Sequence, residues 1–388
     1  TFDLGRLRRE RHELIGELIV RCTLAGARTV EGVLSAADFN CSSQQARKTR
    51  ATFLAERSQT KSGEVDWVGL IEEFCQRVVT FNRQGNADLA FSDIKPTAGA
   101  AEFMVAGLPL LRAHPVIWFG DGGSGKSLFA LYVGAQLAGM GESVLYADWE
   151  FSGEDHRERL DKLCSGQPIP ETFRYVRCTA PLTEEVDRLA EIIAARKITY
   201  LICDSVGFAC AGAPEAAEAA IEYFRALRTL NVGSLNIAHP PKSGEEAEWK
   251  PFGSNFWHQG ARATWFIKRA DDDLDGQTLD IAFINRKSNI ARKRREPIGR
   301  RVRFLSAETT ISEFEVSGHH ELSAKLPLRQ RLHAALRTGA ESQTVLAEEL
   351  GCEESSLRTV VSRYPREFTK LRDGKIGLCA RGDDHVPF

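Results

Sequence analysis

The run Gly120-Asp121-Gly122-Gly123-Ser124-Gly125-Lys126-Ser127 gathers the residue types that grip a polyphosphate: glycines that let backbone N–H groups close around an anion, a lysine and a hydroxyl. It follows the apolar stretch Val116-Ile117-Trp118-Phe119 and opens a helical pattern over residues 128–140. Strand, glycine loop and helix in that order turn the G-x-x-x-x-G-K-[ST] spacing into a site, because the helix N-terminus adds its partial positive charge. Lys126 is expected on the β- and γ-phosphates of a nucleoside triphosphate and Ser127 on Mg²⁺.

Hydrolysis asks for more groups: an acid that organises the metal, a base for the attacking water and cations facing the developing charge. The apolar run Tyr200-Leu201-Ile202-Cys203 ends in Asp204, and a carboxylate at the carboxyl end of a buried strand can hold Mg²⁺ through water. The run Ser143-Val144-Leu145-Tyr146-Ala147-Asp148 ends in Trp149-Glu150. Glu150 is expected at the sheet edge next to the phosphate loop, where it would orient or deprotonate water, with Asp148 as the competing base.

The elements that must position these groups follow from hydrophobic period. Apolar runs at 116–119, 144–147, 200–203, 235–238, 264–267 and 279–284 read as strands, and 155–163, 184–196 and 214–230 join the segment after Lys126 as helices. Residues 301–304 and 311–314 look like a terminal antiparallel pair. That alternation predicts an α/β class: a mostly parallel sheet with helices on both faces. Upstream, 17–22 suggests one short strand and 43–58 and 67–81 amphipathic helices, the first with Arg47, Lys48, Arg50 and Arg57 as a solvated basic face. Downstream, helices at 328–336, 344–350 and 354–363, a Gly351-Cys352 turn and a hairpin about Asp373-Gly374 predict a winged helix-turn-helix. The expected domains are a mixed, helical segment 1–83, a linker 84–102, an ATPase-type domain 103–318 and the winged helix 326–380.

Composition sets the outer bounds. At 388 residues two or three domains are expected, and 43% hydrophobic with 27% charged residues describes an ordinary globular chain. A formal net charge of -2 gives no global pull on nucleic acid, so such binding must come from local basic patches. The nine cysteines stand singly without zinc-like spacing, which predicts reduced thiols and a cytoplasmic protein. No apolar run approaches the ~20 residues that span a bilayer, so no membrane is expected.

The succession of the glycine loop, Ala147-Asp148-Trp149-Glu150, Ile202-Cys203-Asp204-Ser205 and Asn236-Ile237-Ala238-His239 resembles a RecA-type ATPase core, most similar to the RepA-like and DnaB-like hexameric helicase group. An acid followed by Arg159-Leu160 on the next helix is also similar to the RepA-like pattern, and the resemblance spans roughly 103–316. It implies ATP as the nucleotide, Glu150 as the catalytic carboxylate and His239 as a polar sensor of the γ-phosphate. It also implies a cation given to the neighbouring subunit's nucleotide from Asn285-Arg286-Lys287, which closes the strand 279–284, with Arg262 and Arg159 as further phosphate contacts. The chain lacks the Lys-x-Arg pair usual in the DnaB-like group, which leaves Arg262, Arg286 and Lys287 as alternatives for that finger.

Two stretches mix features suited to DNA. Residues 240–260 carry Lys242, Lys250, Trp249, Phe252, Phe256 and Trp257, as single-strand stacking needs, but also Glu245, Glu246 and Glu248. Residues 286–303 form the densest basic run, with Arg292, Lys293, Arg294 and Arg295 consecutive. The expected protein is an ATP-hydrolysing homo-oligomer, a hexameric ring, moving on single-stranded DNA, with the winged helix meeting duplex DNA or a protein. The alternative is a nucleotide-switched DNA-binding regulator or loader.

Overall fold

A computed structural model describes residues 1–60, 64–84, 88–95, 101–240, 250–253, 255–270, 276–289, 296–316, 322 and 326–379. The chain divides into two compact units, Thr1–Ala98 and Gly99–Phe388.

The first unit is built on a three-stranded antiparallel sheet, β1 (Phe2–Glu10), β2 (Glu13–Arg21) and β3 (Val33–Asn40), packed with α1 (Gln44–Ser58) and α2 (Trp67–Gln84). The expectation of one short strand here is corrected. β1 is an edge strand that exposes Arg8, Arg9 and Glu10, so its charges mask the alternation a half-buried strand would show. The arginines of α1 turn inward: Arg47 donates to Cys41 O and pairs with Glu72, Arg50 donates to Ser35 and Asp38 O, and Arg57 donates to Leu34 O and Arg28 O. The face read as solvated is a clamp on β3 and its flanks.

The second unit starts with the hairpin β4 (Glu102–Val105) and β5 (Leu108–Leu111) and then alternates β6 (Pro115–Phe119), α3 (Lys126–Gly139), β7 (Val144–Asp148), α4 (Gly153–Leu163), β8 (Phe173–Arg177), α5 (Leu182–Arg196) and β9 (Tyr200–Asp204). It continues with α6 (Val206–Ala209), α7 (Ala217–Leu230), β10 (Gly233–Ala238), α8 (Asn255–Gly260), β11 (Ala263–Arg269), β12 (Thr278–Ser288), β13 (Ile298–Phe304) and β14 (Thr309–Phe314). The nine-stranded sheet runs β14-β13-β12-β11-β6-β10-β9-β7-β8. From β11 to β8 every pairing is parallel, and β12, β13 and β14 add antiparallel to one side.

Alternation along β6 shows why the central strands read as unbroken apolar runs. Val116 and Trp118 join the core under α3 and α4, whereas Ile117 and Phe119 join the core under α5, α7 and α8, so both faces are covered. Three expectations need correction. β8 is an additional strand, its run Phe-Arg-Tyr-Val-Arg too polar to stand out because it forms the sheet edge. Strand β12 continues through Asn285, Arg286 and Lys287 to Ser288 and does not stop at Ile284. Strand β7 is not beside the phosphate-loop strand, since β10 and β9 lie between them.

Beyond the sheet, α9 (Leu328–Ala335), α10 (Gln343–Glu349), α11 (Glu354–Arg363) and the antiparallel pair β15 (Phe368–Lys370) and β16 (Ile376–Leu378) share a separate core of Leu332, Leu336, Leu346, Leu357, Phe368 and Ile376. Glu354, the first residue of α11, accepts from Thr344 and Gln343 and thereby ties α11 to α10.

Candidate active site

Parallel pairing brings the carboxyl ends of β6, β10, β9 and β7 to one edge, and every group expected to do chemistry within one chain emerges there. The loop leaves β6 at Gly120, where a Cβ would lie 2.2 Å from Ile267 O, a backbone atom of β11 that cannot step aside. At the helix end Gly125 has φ +79°, and its Cβ would meet Ile281 Cδ1 at 2.7 Å. No side chain caps α3, so its first amides face the hollow between Gly120 and Ser127. Lys126 fills that hollow: its Nζ donates to Gly120 O and Asp121 O, both at 2.7 Å, and to Ser124 Oγ at 3.3 Å. Burial pushes the Lys126 ammonium down to about 8, against the pull of Asp204, Glu150 and Asp121. These carboxylates therefore surround the lysine, although Glu150 stands three strands away from the loop.

Asp204 ends β9 fully buried, and its Oδ2 accepts a 2.5 Å hydrogen bond from Tyr146 Oη. Burial lifts this carboxyl above its ordinary range, countered by the hydroxyls of Tyr146 and Ser127. Its Oδ1 is buried without a hydrogen-bond partner, an acceptor aimed at something the chain itself does not supply. That orphaned oxygen beside the Ser127 hydroxyl fits Mg²⁺ bound through water. Among the described residues no three His, Cys, Asp or Glu side chains cluster as a metal cage, so such an ion would rest on Ser127, Asp204, water and phosphate oxygens.

The competition between Asp148 and Glu150 is decided by what each carboxylate already holds. Asp148 is fully buried: Oδ1 accepts the amides of Glu150 at 2.9 Å and Phe151 at 3.0 Å, and Oδ2 accepts Tyr175 Oη at 2.9 Å. His156 Nε2 and Arg177 Nη1 each stand 3.4 Å from that second oxygen. Burial alone would raise Asp148, but His156, the two amides and Tyr175 outweigh it and hold the carboxyl below its usual range. It is a clamp for the turn, and the half-buried Glu150 two residues on is the carboxylate left facing Lys126. Ser152 caps α4 by accepting from Asp155 N, which fixes the far side of the same turn.

His239 follows β10 directly. Burial, then Lys126, pushes its imidazole below the ordinary value, while Glu150 and Asp121 oppose, so it enters the cluster as a neutral ring. Arg159 lies 5.0 Å over the Phe151 ring, and its charge is felt at Tyr146. The site thus unites Lys126, Ser127, Asp204, Glu150 and His239, with Arg159 on its margin. Sequence reasoning passed over Tyr146, Tyr175, His156 and Arg177. The available signal was a tyrosine inside a buried strand, whose hydroxyl must find a partner.

The other cations do not reach the loop of their own chain. Arg262 is exposed at the amino end of β11, its amide bonded to Pro115 O at the start of β6. Lys287 donates to His258 O at 2.6 Å, Gln259 O at 3.1 Å and Ala261 O at 2.8 Å, closing the C-terminus of α8. Arg286 is buried over the Phe266 ring, on the face of the sheet away from α3.

For the stretches suited to DNA, Lys242, Glu245, Glu246, Glu248, Trp249 and Arg292 to Arg295 lie outside the described residues. Within them, Phe252 and Trp257 are core, Trp257 donating to Pro214 O at 2.6 Å, and Phe256 is 43% exposed. Arg300 is buried against Ala106 O and Glu313, and Arg301 chelates Asp280.

A family described as an AAA domain matches residues 88–245, and no curated protein matches the chain. Residues 88–245 hold a P-loop ATPase domain. Among solved structures, the domain is similar to a KaiC-like protein, PH0186, from the archaeon Pyrococcus horikoshii OT3, with 14% identity, TM-score 0.42, and coverage of 52% of this chain and 91% of that one. It is also similar to the solved ATPase domain of a DnaB-like helicase, with 12% identity, TM-score 0.42, and coverage of 53% and 86%. No helix among the described residues is long and apolar enough to cross a membrane.

Proposed function

We propose that the chain hydrolyses ATP as a RecA-type motor that assembles into a ring, a hexamer in the RepA-like and DnaB-like manner, and moves on single-stranded DNA. The observation that carries this reading is the split between the two ends of the sheet. Lys126, Glu150, Asp204 and His239 share one carboxyl edge, while Arg262, Arg286 and Lys287 stand apart from it. That edge gathers a base, a metal acid and the loop lysine, and a transition-state cation from a neighbouring subunit would complete it. Of the three, Arg262 alone is exposed, which favours it as the finger, because Lys287 is engaged at α8 and Arg286 is buried.

In this reading the loop amides and Lys126 bind the β- and γ-phosphates, and Ser127 and Asp204 hold Mg²⁺, which neutralises charge on the phosphate oxygens. Glu150 orients water and accepts its proton, and His239 reports the γ-phosphate to the chain that follows β10. The test is the ATPase rate with and without single-stranded DNA, together with strand separation of a forked duplex. Stimulation with unwinding supports the motor, and a rate indifferent to DNA overturns it.

A second reading has its own observation. Arg358, Arg363, Arg366, Lys370 and Arg372 are exposed on α11, on β15 and in the turns around it, as a winged helix contacting phosphates would present them. Duplex binding switched by nucleotide, without unwinding, would favour a regulator or loader.

A further inference from the structure

Strand β7 carries two buried polar side chains, Tyr146 and Asp148, two residues apart and so on one face of the sheet. Asp148 serves the turn that holds Glu150, as described above. Tyr146 has a different target. Register pairs Tyr146 with Ile202 and Asp148 with Asp204, so the phenol reaches diagonally along β9 to the last residue of that strand. We infer that Tyr146 is a positioning residue for the metal: its hydroxyl occupies Oδ2 of Asp204 and so presents Oδ1 alone to the Mg²⁺ and its water.

Three observations converge on this role. The hydrogen bond is short, 2.5 Å, between two groups that are 1% and 0% exposed, so no water competes for either. The free oxygen of the same carboxylate is the one without a partner. The ring cannot swing away, because His156 stacks against it with centroids 4.9 Å apart and Phe173 closes its edge at 6.3 Å. A carboxylate without this anchor could turn about its Cβ–Cγ bond and offer the metal either oxygen. A hydrogen bond behind a metal ligand fixes that choice, and its loss costs metal affinity more than nucleotide affinity.

The inference rests on the reading of the loop and Asp204 as a Mg²⁺-nucleotide site, and its test separates the two. Binding of a fluorescent ADP analogue to the full chain is measured in EDTA and across a Mg²⁺ titration, for wild type, Tyr146→Phe, Asp204→Asn and the double variant. Tyr146→Phe should bind nucleotide in EDTA as wild type does and need about 10- to 100-fold more Mg²⁺ for half of the metal-dependent gain. Combined with Asp204→Asn it should add nothing, because it acts through that carboxylate. A Mg²⁺ midpoint equal to wild type overturns the inference and leaves the site standing. A wild type without any Mg²⁺-dependent gain overturns both. If Tyr146→Phe does not fold, a fluorinated tyrosine at 146 keeps ring and hydroxyl while changing donor strength. A midpoint that moves supports the positioning role, and an unmoved one refutes it.

Discussion

At the scale of single residues the site separates binding from turnover. Lys126→Ala should abolish tight ATP binding, since the loop loses its one point charge. Glu150→Gln should keep ATP and slow hydrolysis by roughly 10²–10⁴-fold, the usual effect of a missing general base. Asp148→Asn distinguishes clamp from base: the amide oxygen can still accept the N–H groups of Glu150 and Phe151, so turnover should stay within about tenfold of wild type. The opposite ranking in a steady-state assay would make Asp148 the base. Lys126 also sets a pH dependence. With its ammonium held at about 8, the free protein loses this charge as pH rises through that value, and ATP must then bind together with a proton. Affinity should fall roughly fivefold between pH 8 and 9, and flat calorimetric titrations over that range would contradict the assignment.

Elements impose their own demands. The contact of Gly120 with Ile267 O is one of backbone with backbone, so Gly120→Ala must part β6 from β11. The expected outcome is a loss of about 1–3 kcal/mol in urea unfolding together with loss of nucleotide binding. Lys287→Met tests the closure of α8. Removing a cation from the last carbonyls of a helix should cost about 1 kcal/mol, and an unchanged urea midpoint would show that the ammonium is free for another task. In the C-terminal module, Leu357 is buried while Arg358 and Arg363 are exposed, so α11 turns its apolar side to its own core and its arginines outward. Arg358 pairs with Glu354, which leaves Arg363 and the hairpin cations as the stronger phosphate contacts.

For the whole molecule the questions are assembly and DNA. If Arg262 completes a neighbour's site, Arg262→Ala and Glu150→Gln chains should each be inactive and their mixture should recover part of the ATPase rate. The recovery comes from interfaces that pair the intact base of one variant with the intact finger of the other. Mixtures as inactive as their components would argue for a site built within one chain. Deleting residues 326–388 should lower the slope of log affinity against log salt for duplex DNA by about 0.9 for every phosphate that the module neutralised, while sparing stimulation by single strands. An unchanged slope would assign the module to protein docking.

The glycine loop, Lys126, Asp204 and Glu150 could be named from the chain alone, because each is a fixed spacing or an acid closing an apolar run, and both signals are local. The buried parallel strands were legible for the same reason: covered on both faces, they contain little but apolar residues. What the sequence left open depended on neighbours distant in the chain. Edge strands β1 and β8 carry charges because solvent reaches them, so periodicity missed them. The choice between Asp148 and Glu150 turned on partners from β8 and α4, and the reach of Tyr146 to Asp204 on the register of β7 with β9. The basic residues misled most, since Arg47, Arg50, Arg57, Lys287 and Arg300 look alike in sequence yet all direct donors to backbone carbonyls of their own unit. A guanidinium or ammonium satisfies buried carbonyls as readily as phosphates, and only packing decides which it meets.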